Sequence, residues 1–156
     1  MRPSKLAAPL LALLMLGGCA AAPTQRHSVA IVVKSTSTEF WAAVFAGAEA
    51  AGAEYNLDLS ITGPETEEDY ETQNAMIAQA VEDGAEALVF SAIDFEANAA
   101  AINEAARRGV RIVVIDSDVD SDAVETYIGT DNLAAGRMAA QAALDGTPGR
   151  LSLIHI

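Results

Sequence analysis

Two stretches of this chain follow one plan, and that plan restricts the fold more than any other feature. AVEDGAEALVFS (residues 80–91) and AARRGVRIVVID (105–116) each run from a helix end through a Gly stop into a short apolar strand closed by a polar residue. Apolar and β-branched side chains at successive positions mark strands buried on both faces. Two consecutive helix–Gly–strand units predict βαβ crossovers, and with them an α/β fold built on a doubly wound parallel sheet. At 156 residues, 51% of them hydrophobic, the chain can fill one such core.

The same plan opens earlier. Val29, Ile31, Val32 and Val33 form a buried strand, Lys34–Glu39 a polar loop, and Phe40 and Trp41 begin an alanine-rich helix. Phe40, Val44, Gly47 and Ala51 recur at helical spacing and predict its buried face. Small residues at 46–53 suit close packing on a sheet, and Asn56 suits a C-terminal stop. Leu57–Thr62 alternates apolar with polar, as an edge strand does. The acidic run Glu65–Glu71 reads as a solvated helix start, with Thr66 or a neighbour as N-cap. That helix runs through Met76, Ile77, Ala80 and Val81 to Gly84. Glu125–Gly129 is a fifth strand candidate and Leu133–Leu144 a further helix. Leu151–Ile156 reads as the start of a sixth strand that stops in mid-element, so the chain is expected to be C-terminally truncated. The same six residues, LSLIHI, resemble the translation of a transposase end, and His155 is assigned no role.

Ligands of open α/β sheets bind outside the carboxyl ends of the strands. Lys34, the loop hydroxyls, Phe40 and Trp41 fall there, as does Asp116, whose carboxylate can accept hydrogen bonds from ligand hydroxyls. Phe40 and Trp41 have two readings: burial at the helix start, or an aromatic face laid against the C–H face of a sugar ring.

Several chemistries are excluded. A formal net charge of −13 repels phosphate backbones, so no nucleic-acid partner is expected. No dinucleotide, P-loop or nucleophile-elbow motif occurs, and the two histidines, His27 and His155, offer no Ser–His or Cys–His pair. The acidic stretch Asp116-Ser117-Asp118-Val119-Asp120-Ser121-Asp122 fails the calcium-loop pattern, with Ser121 in the Gly position and Tyr127 in place of the closing Glu. IVVIDSDV resembles the nucleophile motif of haloacid-dehalogenase-type phosphatases. That motif normally belongs to the first strand of the sheet, whereas here it follows the fourth. No metal or cofactor is expected.

The N-terminus reads as a targeting segment. Arg2 and Lys5 precede an apolar run, Leu6–Leu16, too short to span a bilayer comfortably. It ends in Leu16-Gly17-Gly18-Cys19, which resembles a bacterial lipoprotein lipobox. That resemblance makes residues 1–18 a signal peptide, Cys19 the lipidated first residue of an exported, membrane-anchored chain, and residues 19–27 a tether. Cys19 is the single cysteine, which excludes an internal disulfide framework.

Taken in order, VAIVVKSTSTEFWAAVFAGAEAAG, GAEALVFSAID, GVRIVVIDSD and YIGTDNLAAGRMAA resemble the first lobe of type I periplasmic sugar-binding proteins. These are the ribose-binding-like receptors of ABC importers, and the effector domains of LacI-type repressors share their fold. The likeness runs from about residue 28 to about 145. It implies an N-terminal α/β lobe over 28–130 and the start of a second lobe over 131–156, with the crossing at Asp131-Asn132. By the same resemblance Lys34, Thr38, Phe40, Trp41, Ser91, Asp116 and Ser117 become ligand-binding residues. The implied function is capture of a sugar or related polyol for an ABC permease. Ribose-binding relatives carry Arg where this chain has Ser117, and tend to have Asn at Thr38 and Ser91, so the ligand is left open. Two alternatives are a same-fold receptor signalling to a sensor kinase or chemoreceptor, and an exported metal-dependent phosphatase using the acidic loop.

The targeting segment yields the first prediction. Mass spectrometry of the mature N-terminus is expected to show cleavage before Cys19 and a lipid on its sulfur. An unmodified Cys19, or a first residue well downstream, refutes it.

Overall fold

A computed structural model of the chain describes residues 26–146. The predicted signal peptide, Cys19, nearly all of the predicted tether and the predicted sixth strand lie outside the described residues. Five strands, β1 (His27–Val32), β2 (Leu57–Thr62), β3 (Ala87–Phe90), β4 (Arg111–Ile115) and β5 (Val124–Ile128), alternate with four helices, except that β5 follows β4 with no helix between. These are α1 (Glu39–Tyr55), α2 (Tyr70–Glu82), α3 (Ala99–Arg107) and α4 (Asn132–Gly146). β1 starts at His27, the last residue assigned to the tether from sequence.

The strands form one sheet in the order β2-β1-β3-β4-β5, and every pairing is parallel. Successive strand residues point to opposite faces, and each face has its own apolar layer. Ala30, Val32, Leu88, Phe90, Ile112 and Val114 meet Ile77 of α2 and Ile102 and Ala105 of α3 on one side. Ile31, Val33, Ile61, Val89 and Ile115 meet Trp41, Val44, Phe45 and Ala48 of α1 on the other. Helices therefore cover both faces, which is the doubly wound arrangement read from the repeats. β2, at the edge, alternates half-buried and exposed positions along its whole length.

The repeated Gly stops have a backbone cause. Gly84 and Gly109 sit at φ +85° and +92°, just after α2 and α3, where a side chain would be strained. Asn56 takes the same left-handed role after α1, at φ 55°. The buried face of α1 differs from the predicted one. Phe40 and Gly47 are exposed, and the inner stripe is instead Trp41, Val44, Phe45, Ala48 and Gly52. Gly52 lies so close to β2 that a Cβ there would stand 2.6 Å from Leu59 Cδ1. The largest side chain of the first turn takes the inner position, which rotates the stripe by about one residue. The N-cap of α2 is Asp69, whose carboxylate accepts from Thr72 N at 2.9 Å, rather than Thr66.

One polar side chain crosses the core. Gln73, on α2, is fully buried. Its Nε2 donates to Val33 O at 3.0 Å and Ser91 O at 2.9 Å, and its Oε1 accepts from Ile93 N at 3.1 Å. It thus ties the ends of β1 and β3 together. Gln73→Leu would leave these backbone groups unpaired out of water, and is expected to cost about 2–4 kcal/mol. Urea unfolding measures this, and a loss below about 1 kcal/mol refutes the role.

Candidate functional site

The strand order changes direction between β1 and β3, and a crevice opens outside the carboxyl ends at such a point. Residues from three strand ends meet there. Lys34 follows β1, Ser91 follows β3, and Asp116 and Ser117 follow β4. Lys34 Nζ stands 2.9 Å from Asp116 Oδ2 and donates to Ser117 Oγ at 3.0 Å. Ser117 Oγ and Ser91 Oγ donate to the same Oδ2, at 3.2 and 3.4 Å. Among the described residues, no side chain bonds Asp116 Oδ1. All the internal side-chain partners crowd one oxygen.

Asp116 is held from its backbone as well. It adopts φ 60°, a left-handed conformation that Asp tolerates better than most residues. Its N–H donates to Ile128 O at 3.0 Å, and its carbonyl accepts from the Tyr127 hydroxyl at 2.8 Å. Partial burial pushes its carboxyl pKa up. The hydrogen bond and charge of Lys34, with Ser117 and Ser91, outweigh this and hold it below its ordinary value. The carboxylate is therefore ionised at neutral pH.

The predicted aromatic pair divides between two roles. Phe40 is 57% exposed and Trp41 only 1%. Their rings meet edge-on at 5.0 Å, and Trp41 stacks on Phe45 at 6.5 Å. Both rings line a crevice of about 290 Å³, along with Val44, Ile115, Asp116, Ile128 and Thr130. Phe40 can offer a ring face, whereas Trp41 is the wall behind it. Thr38 is the N-cap of α1, its hydroxyl accepting from Trp41 N at 3.4 Å. That bond fixes where the two rings begin.

Sequence reasoning missed Glu67, having read its acidic run as a solvated helix start. Glu67 Oε1 accepts the Trp41 indole N–H at 3.1 Å, and Oε2 lies 3.9 Å from Lys34 Nζ. A buried indole needs an acceptor, but nothing in the spacing said which carboxylate would supply it. The buried Gln73 was missed too; a polar residue flanked by core positions of a helix was the available signal. The acidic loop after β4 is tied back onto the fold, with Asp120 N donating to Phe95 O at 2.9 Å. Asp118 bonds its neighbour Val119 N at 2.8 Å, and Ser121 bonds Asn103 at 2.8 Å. Among the described residues, no three His, Cys, Asp or Glu side chains are grouped to hold a metal ion.

A five-stranded parallel sheet covered by helices on both faces, with a crevice at its switch point, is the architecture of one lobe of the type I periplasmic binding fold. The periplasmic binding protein domain family matches residues 29–156, and the chain belongs to that family. It is 24% identical to the ribose import binding protein of Bacillus subtilis over an alignment of 162 residues, covering 89% of this chain and 52% of that protein. A carbohydrate transporter solute binding protein from Agrobacterium radiobacter, solved with D-arabinose, superposes with a TM-score of 0.75 at 33% identity, covering 81% of this chain and 44% of that one. One from Agrobacterium vitis with bound D-fucose gives 0.73 at 30%, covering 78% and 43%. The chain thus spans about half the length of these relatives. They are binding proteins, not enzymes.

The lowered pKa of Asp116 has a testable sign. A carboxylate whose folded value lies below its ordinary 3.8 adds stability above that pH, and loses it as pH falls through the lowered folded value. Urea midpoints of parent and Asp116→Asn, measured between about pH 2.5 and pH 6, are expected to run parallel above about pH 5. The parent should then fall more steeply below about pH 4. Equal slopes throughout refute the ion-pair assignment.

Proposed function

We propose that this chain forms the first lobe, residues 28–130, of a two-lobe extracytoplasmic receptor, with residues 131–156 beginning the second. The receptor captures a neutral sugar or related polyol for an ABC permease and is held at the membrane through a lipid on Cys19. The observation that carries the binding role is the open Asp116 Oδ1 beside the exposed Phe40 ring, one acceptor and one apolar face at the switch-point crevice. Hydroxyls satisfy the first and the C–H face of a sugar ring the second. The sugars bound by the Agrobacterium relatives support this reading. The division into lobes is supported by α4, which contributes no buried residue and so has no part in this core.

Isothermal titration of the two-lobe receptor against a sugar and polyol panel tests the proposal. Phe40→Ala should remove apolar contact worth roughly 1–3 kcal/mol, a loss of about one to two decades in affinity. Asp116→Ala should cost about the same by leaving ligand hydroxyls unpaired. Asp120→Ala, on the exposed loop, should change little. Trp41→Ala is expected to act mainly on the fold, at about 3–5 kcal/mol, because the indole is core. Parent-like binding by Phe40→Ala and Asp116→Ala together refutes the crevice as the site.

A further inference from the structure

Charge is distributed unevenly along the strand axis. Arg26, Arg107, Arg108 and Arg111 all lie at the amino ends of strands or in the turns leading into them. All four face carboxylates or an amide: Arg107 with Glu104 at 2.5 Å, Arg108 with Glu82, Arg111 with Glu125 at 2.7 Å, and Arg26 with Asn56 at 3.1 Å. The remaining arginine among the described residues, Arg137, lies on α4. Lys34 is the one lysine among the described residues, and it stands at the carboxyl end of β1 against Asp116 of the crevice wall. Its ammonium is already committed to Asp116 and Ser117. Glu67 is therefore a second carboxylate on one cation, and the Lys34–Asp116–Glu67 group carries a net charge of −1.

Resting on the sugar-receptor reading, we propose that Glu67 is a specificity-determining residue. It makes the crevice reject anionic sugars, such as uronates and sugar phosphates, in favour of their neutral counterparts. Geometry supports a fixed charge there rather than a wandering one. The bond from the Trp41 indole to Oε1 pins one carboxylate oxygen, and this leaves Oε2 turned toward Lys34. A lysine in a binding crevice ordinarily favours an anion. Here that preference is spent internally, and the residual field has the opposite sign.

Glu67→Gln separates the charge from the anchoring, because the amide oxygen still accepts the indole N–H. Titrations on the two-lobe receptor use matched pairs: D-galactose and D-galacturonate, D-glucose and D-glucuronate, D-ribose and D-ribose 5-phosphate. The neutral-over-anionic affinity ratio cancels any damage common to both members of a pair. In Glu67→Gln the ratio should fall about five- to tenfold, the effect of removing one charge about 7 Å from the ligand at an effective dielectric near 40. Lys34→Met should raise it. Glu82→Gln, which removes a carboxylate at the far end of the sheet, should leave it unchanged. A parent that prefers the anionic member, or an unchanged ratio in Glu67→Gln while the neutral sugar still binds, overturns the inference. A parent that binds no sugar of either kind overturns the receptor reading itself, and this inference falls with it.

Discussion

The Gln73 side chain bridges two of the three strand ends on which the site is built. A parallel sheet whose order reverses between β1 and β3 leaves a gap there, because the chain departs from these strands toward opposite faces. Left alone, the gap would expose carbonyls and an amide that have no ladder partners. One buried amide satisfies Val33 O, Ser91 O and Ile93 N at once. Among the described residues no buried side-chain nitrogen or oxygen is without a partner. Because Ser91 and the loop that starts at Lys34 hang from those atoms, the crevice inherits the rigidity of the core.

On that frame the site is assembled by division of labour within single groups. Asp116 gives one oxygen to Lys34, Ser91 and Ser117 and keeps the other open. Glu67 gives one oxygen to the Trp41 indole and turns the other toward Lys34. The first aromatic of the pair faces the crevice, while the second closes the core behind it. Each internal bond lowers the cost of holding a polar group in one place, which is the physical content of preorganisation.

Much of the fold was legible because its signals are local. Consecutive apolar residues between Gly stops mark doubly covered strands, and Gly84 and Gly109 do take the left-handed conformation that the stops imply. The strand-end positions of Lys34, Ser91 and Asp116 follow from the same pattern, since the polar residue after a buried strand must emerge at its carboxyl end. The rotation of α1 was not legible. Phe40 and Trp41 are adjacent and equally able to start a buried stripe, and periodicity alone does not choose between them. Packing against Ile31, Val33 and Ile61 on the sheet, together with an acceptor for the indole, does.

The sequence by itself determined that the strands described here are buried and parallel, where the helices between them lie, and that Lys34, Ser91 and Asp116 stand at the carboxyl ends of their strands. These depend on side-chain period and on backbone strain, both of which act over a few residues. Only the tertiary structure decided what those residues do there. It placed Glu67, from a loop 33 positions beyond Lys34, within 3.9 Å of that ammonium, and set Lys34 against Asp116, 82 positions further along. The charge balance of this cluster is set by these two long-range encounters. A charge balance of that kind is a property of distances in space, and no local pattern encodes it.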